Sequence, residues 1–505
     1  MGFGGAGGKY TPAFYIHSAI GIFFMFFFRF LPIEIYPITP VGMQVVGVFL
    51  GLVWLWCFVG FLWPSLLGFV AYGLTDLVTF AQVGTASFGG GVPILLLFSM
   101  ILFGSPQHVG ATRYITRFFL TRKVLNGRPI VFAFIYFFAT YALSVAVNVT
   151  PALVLMWAVL YGVLKELGYS KGEKFTALMI VGTFLGAISG QASLPFTGST
   201  LAILNSLNVA SENILGFVIA VPAPHYMLTG FINTVIVMAI YCGFMKLTLK
   251  KDELTKVAHV STEMFDREPL PPMSKLQKAN FGSMLLFVVL MLIPAVLRIF
   301  ESLNSDSWAA IAVLNTLGPA GIAIGLCGAM VLIKVEGEPV LDFRAVAAKS
   351  INWDVYIMVA IAMAISGGLT NAATGVLDWM IMTFEPIMGG HTATMTFVMT
   401  LLVGAVITNF ASSMVIGIAF MPVLVFFGAE AGVNLPALAT VTILLLHYSI
   451  LLPSASVFAA MLWSNEEWIS AKDVFKYGAV VAIVALVIAL AIMMPVANFI
   501  MPPGI

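Results

Sequence analysis

Ala146-Val147-Asn148-Val149-Thr150-Pro151 and Ile407-Thr408-Asn409-Phe410-Ala411-Ser412-Ser413 are polar interruptions, each set near the middle of a long apolar arm. Each is followed, at a matching distance, by a second break: Gly190-Gln191-Ala192-Ser193-Leu194-Pro195, and Leu452-Pro453-Ser454-Ala455-Ser456. In hydrocarbon, unwound polar backbone survives only where protein buries it or a watery cavity receives it. Paired interruptions at corresponding points of two halves are the best sequence pointer to a transporter's binding site. The pattern therefore predicts a secondary transporter, and its fold class follows from the rest of the chain.

Of the 505 residues, 61% are hydrophobic and 9% charged, and the mean hydropathy is +1.05. Soluble domains carry about 25% charged residues, so the expectation is an all-α polytopic membrane protein. Apolar segments of about twenty residues predict about eleven transmembrane helices. They fall at 13–30, 41–60, 61–77, 86–105, 174–192 broken to 213, 226–248, 279–299, 309–333, 353–370, 436–451 broken to 464, and 474–500. The arms at 130–165 and 392–428 are each too long for one span and carry their polar tip near the middle, so they read as two re-entrant hairpins. A more polar, interfacial helix is expected before each, over His108–Leu125 and Asn371–Thr383. The first apolar run contains His17, leads into Arg29 and lacks a small-residue cleavage site, so it reads as a retained helix.

Counting from a cytoplasmic amino terminus, 21 of the 23 Lys and Arg fall inside, and only Arg29 and Arg298 outside. The positive-inside rule supports that layout. It also makes the two similar units opposite in orientation, which is an inverted repeat. The domains expected are an N-terminal helix (1–40), a first repeat (41–250), a cytoplasmic linker (251–278) and a second repeat (279–505). The localisation expected is the cell membrane, multi-pass. A net charge of +1 argues against a nucleic-acid partner. Cys57, Cys242 and Cys327 lie in apolar stretches without metal spacing and read as small buried hydrophobes.

Neither tip nor second break contains Asp, Glu, Lys or Arg. Proton-coupled carriers and cation exchangers usually need an intramembrane carboxylate. The polar groups on offer are Asn148, Thr150, Ser193, Thr197, Ser199, Thr200, Thr408, Asn409, Ser412, Ser413, Ser454 and Ser456. Amides and hydroxyls donate to anions, and helix breaks add N–H groups and positive dipole ends. Two opposed tips of this kind suit a solute with two carboxylates, although Ser and Thr in membrane helices often only pack or satisfy carbonyls. His447 reads as a satisfied core histidine. Gly89-Gly90-Gly91 reads as a packing or kink site. None of the six histidines has a partner at ligand spacing, so an enzyme is not expected. A cation/proton antiporter or metalloid carrier of related architecture is the main rival.

At these motifs the chain resembles the divalent anion/sodium symporter family, carriers of succinate, malate, fumarate, 2-oxoglutarate and citrate. In that family each hairpin tip carries a Ser-Asn-Thr triplet, and each partner helix breaks at a Thr-Pro-Pro-Asn type of loop. Here the tips read Val147-Asn148-Val149 and Ser412-Ser413-Met414, with Pro422 following the second, and the breaks read Thr197-Gly198-Ser199-Thr200 and Pro453-Ser454-Ala455-Ser456. The resemblance implies a homodimeric, elevator-type transporter in the lipid bilayer with a small-molecule dicarboxylate substrate. It implies substrate contacts at Asn148, Val149, Thr150, Ser199, Thr200, Ser412, Ser413, Met414, Pro453, Ser454 and Ser456. Na+ as coupling ion would be held by Asn148, Gly198, Thr408, Asn409, Ala411 and Ala455; no other cofactor is implied. Val147, Val149 and Met414 replace oxygen-bearing triplet residues, which favours a sodium-independent dicarboxylate exchanger over a sodium-coupled symporter.

Overall fold

A computed structural model describes residues 11–122, 124, 126–257, 271–299, 309–409 and 412–502. The first half contains α1 (Pro12–Phe27), α2 (Pro40–Phe58), α3 (Leu62–Gly73), α4 (Phe80–Phe88), α5 (Gly91–His108) and α6 (Arg113–Leu120). It continues through α7 (Pro129–Val147), α8 (Val149–Glu166), α9 (Lys174–Ala192), α10 (Gly198–Leu215) and α11 (Ala223–Thr248). Short α12 (Lys251–Thr255) precedes α13 (Lys275–Ile299) and α14 (Ala309–Leu332). A small antiparallel hairpin of β1 (Lys334–Val335) and β2 (Glu338–Pro339) leads to α15 (Phe343–Ser350). The second half then runs α16 (Trp353–Thr370), α17 (Val376–Met388), α18 (Ala393–Ile407), α19 (Ser413–Glu430) and α20 (Leu435–Leu446). It ends with α21 (Val457–Trp463), α22 (Ala471–Ile488) and α23 (Met494–Ile500).

Among the described residues, 10 helices are long and apolar enough to cross a membrane, or 11 if α17 and α18, bent by 109°, count as one span. The membership differs from the sequence expectation. Both arms of the first hairpin qualify, because 19 and 18 residues at about 1.5 Å per residue approach the hydrocarbon thickness. The expected span 61–77 shrinks to the 12-residue α3. Polar Thr75 and Asp76 end it, and Asp76 is held there by Gln44 (2.6 Å) and Arg29 (3.5 Å). The expected span 86–105 begins instead at Gly91, because a capping box at Thr79 starts α4 and the Gly89-Gly90 pair ends it. Span 309–333 is kinked at Gly318, whose φ of 59° precedes Pro319. The interfacial helices are shorter or shifted: α6 covers Arg113–Leu120 and α17 starts after the left-handed Gly375.

Side-chain and backbone contacts tie helix ends together in two groups. Arg29 meets Asp76, Thr39 reaches Thr374, and Asn434 reaches Met501. At the other ends Lys256 pairs with Glu173, Lys171 reaches Glu466, and Tyr114 donates to Pro271.

The order hairpin, buried helix, break, helix occurs twice. α9 and α20 are the two helices that lead into the breaks, and both are enclosed almost throughout. α9 packs against α7 through glycines one turn apart. A Cβ at Gly186 would sit 2.4 Å from the Phe137 carbonyl oxygen, and one at Gly182 would sit 2.1 Å from the Phe137 ring. Small residues let helix backbones approach where lipid supplies no hydrophobic drive. The halves interlock where α19 lies on α10: Ser206 of α10 donates to the Ile418 carbonyl (2.8 Å) and meets Ser366 of α16 (2.9 Å).

Candidate functional site

The first tip turns on one residue. Asn148 has φ 92° and ψ 162°, a region that is essentially glycine's. A single residue thus reverses the chain, and Asn148 Oδ1 accepts the Val149 N–H (2.6 Å) as the cap of α8. Tyr136 of α7 donates to the Met156 carbonyl of α8, which confirms the fold-back. Val147 and Val149 are buried, whereas Asn148 and Thr150 are exposed.

The second tip is spent differently. α18 ends at Ile407, and the Thr408 hydroxyl donates to the Leu446 carbonyl (3.2 Å), which the end of α20 leaves open. Asn409 Oδ1 accepts from Ile450 (3.2 Å) and Leu451 (3.1 Å), while its Nδ2 donates to the Ala405 carbonyl (2.8 Å). Helix ends leave such groups orphaned, and burial without partners is costly. Thr408 and Asn409 are therefore the cap of the broken helix α20. Ser412 and Ser413, each only 9% exposed, have no side-chain hydrogen bond among the described residues. Met414 is buried beside them. Ala411 lies outside the described residues.

The two breaks meet each other. α20 stops at Leu446, and the next residue closes a bond across 248 positions: His447 Nε2 lies 3.0 Å from Ser199 Oγ and 3.4 Å from Thr200 Oγ1. The other ring nitrogen, Nδ1, lies 2.8 Å from the Ile443 carbonyl. Gln191 Nε2 donates to Ser199 (2.5 Å), and the Thr197 hydroxyl lies 3.1 Å from that of Thr200. Tyr448 faces the opposite way, accepting from Asn233 of α11 (2.9 Å) and lying 3.1 Å from Ser189 of α9. Because Ser189 donates its only hydrogen to Leu185 (2.7 Å), the Tyr448 hydroxyl is the donor to Ser189. Ser193 joins this second network by donating to the Ser189 carbonyl (2.8 Å), and its hydroxyl lies 3.1 Å from that of Thr234.

Of the other residues singled out from sequence, Gly198 sits where a Cβ would meet Val355 at 2.7 Å. Pro453 and Ala455 form a 3-10 turn, and Ala455 is fully buried. Ser454 lies in that turn. The Ser456 hydroxyl caps α21 by accepting from Ala459 (3.0 Å). No hydrogen bond joins the two hairpin tips directly among the described residues; the paired breaks stand between the halves instead. His447 is satisfied, but by the first break rather than by a generic core. Sequence reading left out His447, Tyr448, Gln191 and Asn233 as site residues. The signal for His447 was its place one residue past the end of a helix without a charged residue.

The groups thus divide into two sets. Thr197, Ser199, Thr200, Thr408, Asn409 and Ser456 are committed to protein partners. Asn148 Nδ2 and the hydroxyls of Thr150, Ser412 and Ser413 carry no described partner. These free groups are donors without charge, suited to an anion.

Among curated proteins the sequence finds no match. Among solved structures it is similar to the YdaH transporter of Alcanivorax borkumensis, with 14% identity and a TM-score of 0.53 over 84% of this chain and 89% of that one. That likeness concerns the fold alone. The model of the citrate transporter family (CitMHS) matches residues 51–446, and the chain belongs to that family, related to the one its hairpin motifs resemble, which makes it a multi-pass membrane transporter and not an enzyme.

Proposed function

We propose that this citrate/carboxylate-type secondary transporter carries di- and tricarboxylate anions and works as a sodium-independent exchanger. The observation that carries the reading is the composition of the two tips and two breaks, which hold amides, hydroxyls and one histidine but no Asp, Glu, Lys or Arg. Asn148, Thr150, Ser412 and Ser413 supply uncommitted donors for carboxylates. The oxygens a coupling sodium would need are thin: Val147 and Val149 offer no side-chain oxygen, and Asn409 Oδ1 already accepts two N–H groups. An empty carrier would have to cross with unsatisfied polar tips, which hydrocarbon penalises. A loaded one would cross at lower cost, so return is coupled to a second anion.

The proposal includes an inverted repeat, a cytoplasmic amino terminus and a homodimer moving as an elevator. Single cysteines replacing Lys472 and Asp378, both exposed, in a background free of native cysteine should then label from opposite faces. The coupling test is uptake of labelled citrate and succinate into proteoliposomes. It should require unlabelled carboxylate inside and be indifferent to replacing sodium with potassium or choline. Robust uptake into empty vesicles with a steep dependence on outside sodium would replace exchange by symport.

A further inference from the structure

Hydrogen counting gives the bridge between the breaks a fixed direction. The Ile443 carbonyl can only accept, so the hydrogen of a neutral His447 ring resides on Nδ1, 2.8 Å away. Nε2 is then an acceptor, and the nearer hydroxyl, Ser199 at 3.0 Å, turns its single hydrogen toward it. With that hydrogen spent, Ser199 can only accept from Gln191, so the Gln191 NH2 group faces Ser199 at 2.5 Å. The amide orientation therefore follows from the carbonyl of a residue in the other half of the chain. What remains at the end of the chain of bonds is Gln191 Oε1, an enclosed acceptor with no partner among the described residues.

An ionised carboxylate cannot fill that position, because it too only accepts. A group with a hydrogen to give can. Building on the carboxylate-transport reading above, we infer that Gln191 is a specificity-determining residue that reads a hydroxyl on the substrate. The class of substrate it selects is a hydroxy-carboxylate over its deoxy counterpart. Uncommitted donors at Asn148, Thr150, Ser412 and Ser413 serve the carboxylates, and Gln191 Oε1 serves the hydroxyl. His447 is the positioning residue that holds the amide in the accepting orientation. Sites built to pair a substrate hydroxyl discriminate against analogues that lack it, because the buried partner is then left unpaired.

The test is calorimetric titration of the purified full-length protein with two matched pairs, citrate against tricarballylate and malate against succinate. Binding does not depend on whether transport is exchange or symport. The wild type should bind the hydroxylated member of each pair about tenfold or more tightly, the scale of one orphaned buried acceptor. Gln191→Met should erase that preference while leaving affinity for tricarballylate and succinate within about twofold. His447→Phe should erase it too, because Ser199 regains its hydrogen and the amide is free to turn. His447→Gln, which can again accept from Ser199, should restore it.

Equal affinity within each pair in the wild type would overturn the inference while leaving the carboxylate reading intact. So would a preference that survives Gln191→Met, or a Gln191→Met protein that loses a sodium response and keeps the preference, since the acceptor would then serve a cation. Binding of neither member of either pair would overturn the carboxylate reading, and this inference with it.

Discussion

Asn409→Ala isolates the role of the second hairpin tip as a cap on the broken helix. The wild-type carboxamide takes two backbone N–H groups, from Ile450 and Leu451, at 3.2 and 3.1 Å, and gives one hydrogen to the Ala405 carbonyl at 2.8 Å. Alanine removes all three bonds, and Ile450 is fully enclosed. An orphaned buried donor costs about 1–3 kcal/mol. Both bonds to Oδ1 are on the long side, so the low end for each gives a total of about 2–3 kcal/mol. If that cost falls on local opening of the break, the open population rises by about 30- to 150-fold, since about 1.4 kcal/mol is a factor of ten. Hydrogen–deuterium exchange of peptides covering 447–456 reads this directly, with a peptide from α2 as the internal control. Asn409→Asp keeps an acceptor for both N–H groups and should recover most of the protection. Unchanged exchange at 450 and 451 in Asn409→Ala would refute the capping argument and return Asn409 to the pool of free ligands.

Asn148→Ala and Ser413→Ala should each weaken binding of citrate-type anions by about 1–3 kcal/mol, measured by titration; if both bind as the wild type does, the anion sits elsewhere. Gly186→Ala places a Cβ 2.4 Å from the Phe137 carbonyl oxygen, so the unfolding temperature in detergent should fall, reflecting about 1–3 kcal/mol of overpacking. Gly243→Ala, with nothing within 4 Å, should be silent, and equal behaviour of the two would contradict the close α7–α9 contact. Burial raises the Glu173 carboxyl pKa, but hydrogen bonds from Lys256 and Ser170 outweigh it and hold the group below its ordinary value of 4.5. The folded value is depressed, so this contribution is present above the unfolded pKa and lost as pH falls through the folded one. Both side chains are partly exposed, so Glu173→Gln should cost less than about 1 kcal/mol near pH 7, and the cost should shrink as pH falls below the ordinary carboxylate value; a melting difference undiminished in acid would refute the ion pair.

What the sequence determined by itself is what hydrocarbon enforces locally. Lipid offers no hydrogen bonds, so apolar runs must be helical, and the polar interruptions at 146–151, 190–195, 407–413 and 452–456 had to be breaks or tips. The repeated order of hairpin, helix, break and helix was legible for the same reason. Element ends were less so, because they depend on side chains that find distant partners. α3 stops where Asp76 meets Arg29 and Gln44, and neither contact is visible from the run 61–77. The close approach of α9 to α7 could have been read from Gly182, Gly186 and Gly190 at four-residue spacing, a small-residue stripe that permits backbone contact. Which polar groups are free was decided only by tertiary structure. A hydroxyl or amide has a fixed number of hydrogens, and whether they are spent depends on what the fold brings within about 3 Å. Thr408 and Asn409 look like ligands in the sequence and are caps in the fold. His447 looks like core and is the joint at which one half of the chain orients the other, because its partner lies 248 residues away.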